Sequence, residues 1–108
     1  MYTNKTKGTN FERKVVQGLK KIGWFAIRQP RSAFPDIIAI KKGETALIIE
    51  CKMRKYISKK ERQDLKEMSK VYGNVAVAYQ RDHPTDKRKK QIVLCSINYK
   101  KELLVLIK

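Results

Sequence analysis

Two rhythms of apolar residues run along the chain. Phe11, Val15, Val16, Leu19 and Ile22 recur at helical spacing, with Thr9 or Asn10 able to cap the start and Gly23 to end the helix. The rhythm then shortens. Trp24 to Arg28 reads as a short strand, and Gln29 to Pro35, with two prolines, as a loop. Asp36 to Ile40 is a buried strand, Lys42-Gly43-Glu44 a turn, and Thr45 to Lys52 the returning strand. After a basic connection, Ser58 can cap a second helix, with Glu61 in the capping-box position. That helix should run to Tyr72, bury Leu65, Met68 and Val71, and stop at Gly73. Val75 to Tyr79 and Ile92 to Ile97 read as strands around a polar, mobile loop, Gln80 to Gln91. Leu103 to Ile107 fits a strand or an apolar helical turn. There are no internal repeats. The order αβββαβ(β) predicts one mixed α/β domain over residues 9–108, a central β-sheet flanked by helices, behind a basic flexible arm at 1–8.

Composition narrows the function. A chain of 108 residues suits one modest core. No apolar run approaches the roughly 20 residues of a membrane span, and the polar start lacks the apolar core of a secretory signal. An intracellular protein is the expectation, in the cytoplasm of the organism or of a host cell. Two cysteines and one histidine cannot furnish a structural zinc site. Cys51 and Cys95 read as reduced, buried thiols, with a disulfide as the alternative. Charge is the strongest signal: 26 basic residues against 10 acidic ones give a net charge of +16. Such an excess repels itself, and a polyanionic partner compensates it. An anionic membrane would call for one basic amphipathic helix with large apolar residues opposite. Here the basic residues are spread along the whole chain, which favours nucleic acid. Solubility or compositional bias is the reading without a function.

Against that background the scarce acids are informative. In a hairpin turning at Gly43, positions equidistant from the turn face each other, which sets Asp36 against Glu50. Cross-strand neighbours have Cβ atoms roughly 5 Å apart. Two carboxylates that close repel unless they share a proton or a cation. A hard divalent cation such as Mg²⁺ takes oxygen ligands of this kind. Lys52 follows Glu50 by two positions and so shares its face. Glu12 lies in the first turn of the expected first helix, and helix packing could bring it to the same edge. The chemistry indicated is phosphodiester hydrolysis, with a carboxylate-held metal activating water and the lysine orienting it or stabilising developing charge. A Glu-x-Lys triplet or a Pro-Asp pair alone would be an ordinary hairpin salt bridge. Their joint position on two apolar strands in register is what points to catalysis.

Pro35-Asp36 followed by Glu50-Cys51-Lys52 resembles the PD-(D/E)XK nuclease motif. With Gly8-Thr9-Asn10-Phe11-Glu12-Arg13, Arg28, Arg31-Ser32, Pro35 to Ala39 and Ile49 to Arg54, the pattern is similar to the archaeal Holliday junction resolvases, including those of archaeal viruses. The likeness is dense from Gly8 to Arg54, looser through the Ser58 helix, and carries no motif after Asp86. The resemblance implies a restriction-endonuclease-like core. It also implies a homodimer that binds four-way DNA junctions by structure and nicks two opposed strands with Mg²⁺ or Mn²⁺, without a small-molecule cofactor or a membrane. It implies that Glu12, Asp36 and Glu50 are the acidic catalytic and metal-holding residues, Lys52 the catalytic lysine, and Ser32 the serine of the catalytic loop. Arg13, Arg28 and Arg31 are implied as phosphate contacts, and Cys51 as packing. The loop from Arg28 to Asp36 is shorter than in many relatives of this kind.

Further basic residues suit the same partner. Lys52, Arg54 and Lys55, with Lys59, Lys60 and Arg62 on the next helix, could track phosphates, as could Lys5 and Lys7 in the arm. The run Lys87-Arg88-Lys89-Lys90 is a DNA-touching loop or a solubilising tip. Burial of Leu103 to Ile107 in the domain or in a dimer would explain so apolar a tail. Two other functions compete: a related nuclease acting on flaps or duplex DNA, and a non-enzymatic basic nucleic-acid-binding protein.

Overall fold

The computed structural model describes residues 4–29, 35–53, 56–97 and 100–107, the first four of them by backbone alone. The elements are α1 (Asn4–Lys21), β1 (Phe25–Arg28), β2 (Ile37–Ile40), β3 (Leu47–Lys52), α2 (Lys59–Tyr72), β4 (Val75–Asp82), β5 (Lys90–Ser96) and β6 (Glu102–Ile107). The strands form one sheet in chain order, β1-β2-β3-β4-β5-β6. Only β3 and β4 are parallel among these neighbours, joined by the α2 crossover. This is the expected mixed α/β architecture, with the ambiguous tail resolved as a strand.

Strand alternation sorts the side chains into two layers. On one face, Phe11, Val15 and Leu19 of α1 pack over Ala26, Ile37, Ala39, Ile49, Ala76, Ala78, Ile92, Leu94 and Leu106. On the other, Leu65 of α2 and Ile57 cover Val77, Tyr79, Val93 and Cys95. Gly18 lets α1 lie directly on β6: a Cβ there would stand 2.9 Å from Leu106 Cβ and 3.0 Å from its carbonyl oxygen. Because α2 covers only the β4–β5 half of its face, Phe25, Ile27 and Ile40 remain 60%, 51% and 51% exposed.

Several expectations are corrected. The helix begins at Asn4, so Thr9 and Asn10 sit within it and residues 4–8 are helical rather than an arm. The turns before them contain no proline, and Gly8 alone costs only about 1 kcal/mol. Ile22 falls in the turn at Gly23, whose φ is +94°, and is exposed. Val71 is also exposed. It lies six positions beyond Leu65, about 240° around the helix, so both cannot face the sheet. The expected mobile loop 80–91 is strand at both ends and a turn over 83–89, with Gln80, Arg81 and Asp82 paired to Ile92, Gln91 and Lys90. Polarity misled here, because strands that outrun the core need no apolar residues. The Ser58 cap holds as expected, its side chain accepting from the Glu61 amide at 3.2 Å.

Candidate active site

The site lies at one edge of the sheet, where β1 ends, β2 begins and β3 ends. The β2–β3 register pairs Ile37 with Ile49, Ile38 with Ile48 and Ala39 with Leu47. Asp36, one position before Ile37, therefore meets Glu50 at the rim, as the hairpin geometry required. Asp36 Oδ2 accepts a hydrogen bond from the Cys51 amide at 2.8 Å, which locks the carboxylate beside the strand end. Glu50 hydrogen-bonds to Asp36, and its carboxyl is pushed up to about 9 by burial first and by Asp36 second. At neutral pH Glu50 therefore keeps its proton, hydrogen-bonded to Asp36.

Lys52 follows on the same strand face, and its charge works against the rise at Glu50. Its Nζ, however, donates to Glu61 Oε2 on α2. The lysine thus converges on the carboxylates while its ammonium is held by an acid that sequence reasoning treated only as a capping residue. The signal was present: Ser58-x-x-Glu61 opens a helix directly after β3, and the parallel β3–β4 crossover brings its first turn back over Lys52. Lys52 lowers the Glu61 carboxyl from its ordinary range by hydrogen bonding. Glu50, Lys52, Glu61, Asp64 and Leu65 line a cavity of about 310 Å³ between β3 and α2.

Glu12 reaches the edge from the other layer. Its α1 helix packs on the face where Cys51 lies, opposite Glu50 and Lys52. It pairs with Arg28 at 3.9 Å, and burial followed by the Asp36 charge raises its carboxyl. The structure therefore brings Asp36 and Glu50 together and leaves Glu12 as an electrostatic neighbour. Among the described residues no group of three or more His, Cys, Asp or Glu side chains stands close enough to hold a metal ion. The expected triple acid set is thus a pair plus a neighbour, because the helix and the two carboxylates occupy different layers. The pair itself fits a hard divalent cation: it is half-buried and made of oxygen donors, and its Glu50 carboxyl is raised by burial and by Asp36.

Arg28 sits half-buried at the rim, and Arg13 is exposed on α1. Ser32, Arg31, Arg54, Lys55 and the Lys7 side chain lie outside the described residues. Cys51 is partly buried against the α1 core, and burial pushes its thiol up, which makes it packing rather than a nucleophile. Cys51 and Cys95 are both thiols and form no disulfide. Among the described residues no helix is long and apolar enough to cross a membrane.

Comparison with known proteins adds independent support. Residues 3–93 match the family model for archaeal Holliday junction resolvase (Hjc). The chain is similar to crossover junction endodeoxyribonuclease Hjc of Sulfolobus acidocaldarius, 39% identical over 82 residues, covering 66% of this chain and 57% of that protein. It is likewise similar to the Hjc endonuclease of Methanocaldococcus jannaschii, 39% identical over 71 residues, covering 62% and 53%. The chain spans little more than half the length of these curated relatives. The solved structure of Archaeoglobus fulgidus Hjc, a Holliday junction resolvase, superposes with a TM-score of 0.61 at 33% identity, over 85% of this chain and 74% of that one. The matched region contains the whole carboxylate edge from Glu12 to Lys52, and the chain belongs to the archaeal Holliday junction resolvase family.

Proposed function

We propose that this protein is a structure-selective endodeoxyribonuclease of the PD-(D/E)XK type that resolves four-way DNA junctions by paired, metal-dependent nicks in opposed strands. The observation that carries the reading is the Asp36–Glu50 pair, two carboxylates forced together across the β2–β3 hairpin on a domain of net charge +16. A protein that merely binds nucleic acid gains nothing from acids aimed at phosphate.

Asp36 and Glu50 would hold a divalent cation, Mg²⁺ with Mn²⁺ able to replace it, and Glu12 would add charge from α1. When bound, such an ion supplies Lewis acidity at a phosphoryl oxygen and a more acidic water. The chain's own residues do the rest. Glu50 must release its proton on loading, because a protonated carboxyl is a poor ligand. Asp36 is kept in place by the Cys51 amide, so the pair cannot relax apart. Lys52 presents positive charge beside Glu50, where it can orient water or meet charge building on phosphorus. Arg28, with Arg13, Arg31, Arg54, Lys55 and Lys7, would take flanking phosphates, and Ser32 would join the catalytic loop. Two opposed cuts need two sites, so the working form is a homodimer. The bare apolar face of β1 and β2 supports this. The place of action is the interior of an archaeal cell, one carrying an archaeal virus included.

Synthetic four-way junctions with Mg²⁺ test the reading. Wild type should give symmetric paired nicks, and flap and linear duplex substrates should be cut far more slowly. Asp36→Ala and Glu50→Ala should each lower the rate by about 10³-fold or more, while binding persists. Absence of cleavage by wild type, or full cleavage by either variant, would refute it.

A further inference from the structure

The β4–β5 hairpin outruns the core. The β3–β4 register ends at Lys52 opposite Tyr79, yet β4 continues through Gln80, Arg81 and Asp82 before turning. Because β3 and β4 are parallel, this overhang points past the same edge that carries Asp36 and Glu50. Three residues of strand extend about 10 Å. From Gln80 to Gln91 the only apolar residue is Pro84, so the extension adds nothing to the apolar core. It is nonetheless built as a defined element. At its base Arg81 Nε donates to Gln91 Oε1 at 2.9 Å, and Arg81 Nη1 donates to Glu102 Oε1 at 2.8 Å. At its tip the Thr85 and Asp86 amides donate to His83 Nδ1 at 3.2 and 3.1 Å, and the Arg88 amide donates to Asp86 Oδ1 at 3.0 Å. The His83 amide donates to the Lys89 carbonyl at 3.2 Å, closing the turn.

The turn presents Lys87, Arg88 and Lys89 to solvent, the Arg88 side chain being 91% exposed. Asp82 takes Lys90, and Asp86 pairs with Arg88 at 3.3 Å, while Lys87 and Lys89 make no ion pair among the described residues. A rigid cationic tip on a strand pair that serves no core fits a polyanion lying along the site edge. We propose that the tip of the β4–β5 hairpin, through Lys87, Arg88 and Lys89, grips the backbone of the DNA arm beside the cut, about six or seven nucleotides from the phosphate cleaved at the Asp36–Glu50 edge. The assignment rests on the nuclease reading of that edge. Glu50 lies opposite Val77, five strand residues before Asp82, and the turn lies beyond Asp82, so the tip stands roughly 20–25 Å from the carboxylates. At about 3.4 Å of axis per nucleotide of one strand, that is some six to seven nucleotides.

Fluorescence binding of a four-way junction in Ca²⁺ across a salt series, alongside single-turnover cleavage in Mg²⁺, tests the proposal. The triple variant Lys87→Ser, Arg88→Ser, Lys89→Ser should bind at least about tenfold more weakly near physiological salt. Its salt slope should fall by about 2, at roughly 0.9 for each phosphate no longer neutralised. Its cleavage rate at saturating protein should stay within about twofold of wild type. The companion variant Lys87→Arg, Lys89→Arg should bind as wild type does. Neutral methylphosphonates about six or seven nucleotides from the cut should weaken wild type and leave the triple variant unaffected. Wild-type affinity and salt slope in the triple variant would overturn the proposal, as would methylphosphonates weakening both proteins equally. If wild type cuts nothing yet the triple variant loses its slope, the nuclease reading falls and the hairpin's grip on DNA stands. Normal cutting with unchanged slopes gives the reverse.

Discussion

At Glu50 a single proton connects stability to function. Its carboxyl sits at about 9 in the folded chain, against an ordinary 4.5 when unfolded, because it is buried and hydrogen-bonded to Asp36. Between those values the folded state binds the proton and the unfolded state has lost it, so folding stability falls as pH rises from about 4.5 to 9. Glu50→Gln abolishes that dependence. Thermal melts without divalent ions should show the variant more stable than wild type at pH 8, by about 4–8 °C for each kcal/mol relieved. The difference should vanish below pH 4.5. Added Mg²⁺ should stabilise wild type alone. Equal melting of both proteins across this range would show that Glu50 ionises freely. Glu61 is the other residue whose part is larger than its position suggests. It caps α2 with Ser58 and also takes the Lys52 ammonium, so it acts as a positioning residue for the lysine. Glu61→Gln keeps the capping chemistry and removes the ion pair. Displacing Lys52 this way should slow single-turnover nicking about tenfold, with junction affinity within about twofold of wild type. A tenfold loss of affinity at unchanged rate would place Glu61 in binding instead.

Two glycines of α1 give opposite expectations at the scale of the element. Both are helical, and replacing an exposed helical glycine with alanine gains about 1 kcal/mol. At Gly8 a Cβ meets nothing within 4 Å, so Gly8→Ala should raise the melting temperature by several degrees. At Gly18 the same methyl would stand 2.9 Å from Leu106 Cβ and 3.0 Å from its carbonyl oxygen, too close to the β6 backbone. Overpacking of that kind costs about 1–3 kcal/mol, which outweighs the helical gain. Gly18→Ala should therefore melt lower than wild type, and urea titration should show the loss at unchanged slope. These two positions also mark what the pattern of residues could and could not reveal. The central hairpin was legible because apolar strands on either side of Gly43 set their own register, and Asp36 against Glu50 followed from it. The α2 cap was legible because Ser58 and Glu61 interact locally. The β4–β5 extension was not, since hydrogen-bonded strands beyond the core carry no apolar signature. Nor was the separation of Glu12 from the carboxylate pair: a helix can cover either face of a sheet, and the order of elements does not say which. The partnership of Lys52 with Glu61 depends on how a crossover helix lands, which is a property of tertiary packing.

For the molecule as a whole, a net charge of +16 and an uncovered apolar face have to be reconciled. Copies of so basic a chain repel each other, so any association must use a surface without charge. The outward side of β1 and β2 is such a surface. Phe25, Ile27 and Ile40 are each more than half exposed, with Ile38 half-buried beside them. Contiguous apolar area of this kind on an otherwise charged domain is where the proposed dimer would form. Pro35 and Ile38 line a hollow with Ile48, Met68 and Tyr72, so the apolar surface runs up to the residue preceding Asp36. Two copies joined there by a twofold axis would therefore carry their carboxylate pairs at fixed separation, as opposed nicks in one junction demand. Changing Ile27 and Ile40 to lysine adds charge to the surface without entering the core, since both side chains already point to solvent. Light scattering should report a dimer for wild type and a monomer for the double variant, with the melting transition of the domain retained. On a supercoiled plasmid carrying an extruded cruciform, wild type should give linear product from two cuts made within one binding event. The variant should give nicked circles, with linear product appearing only after a second, independent encounter. A variant that remains dimeric would place the association surface elsewhere. A monomer that still makes paired cuts in one event would show that resolution does not need the second copy at all.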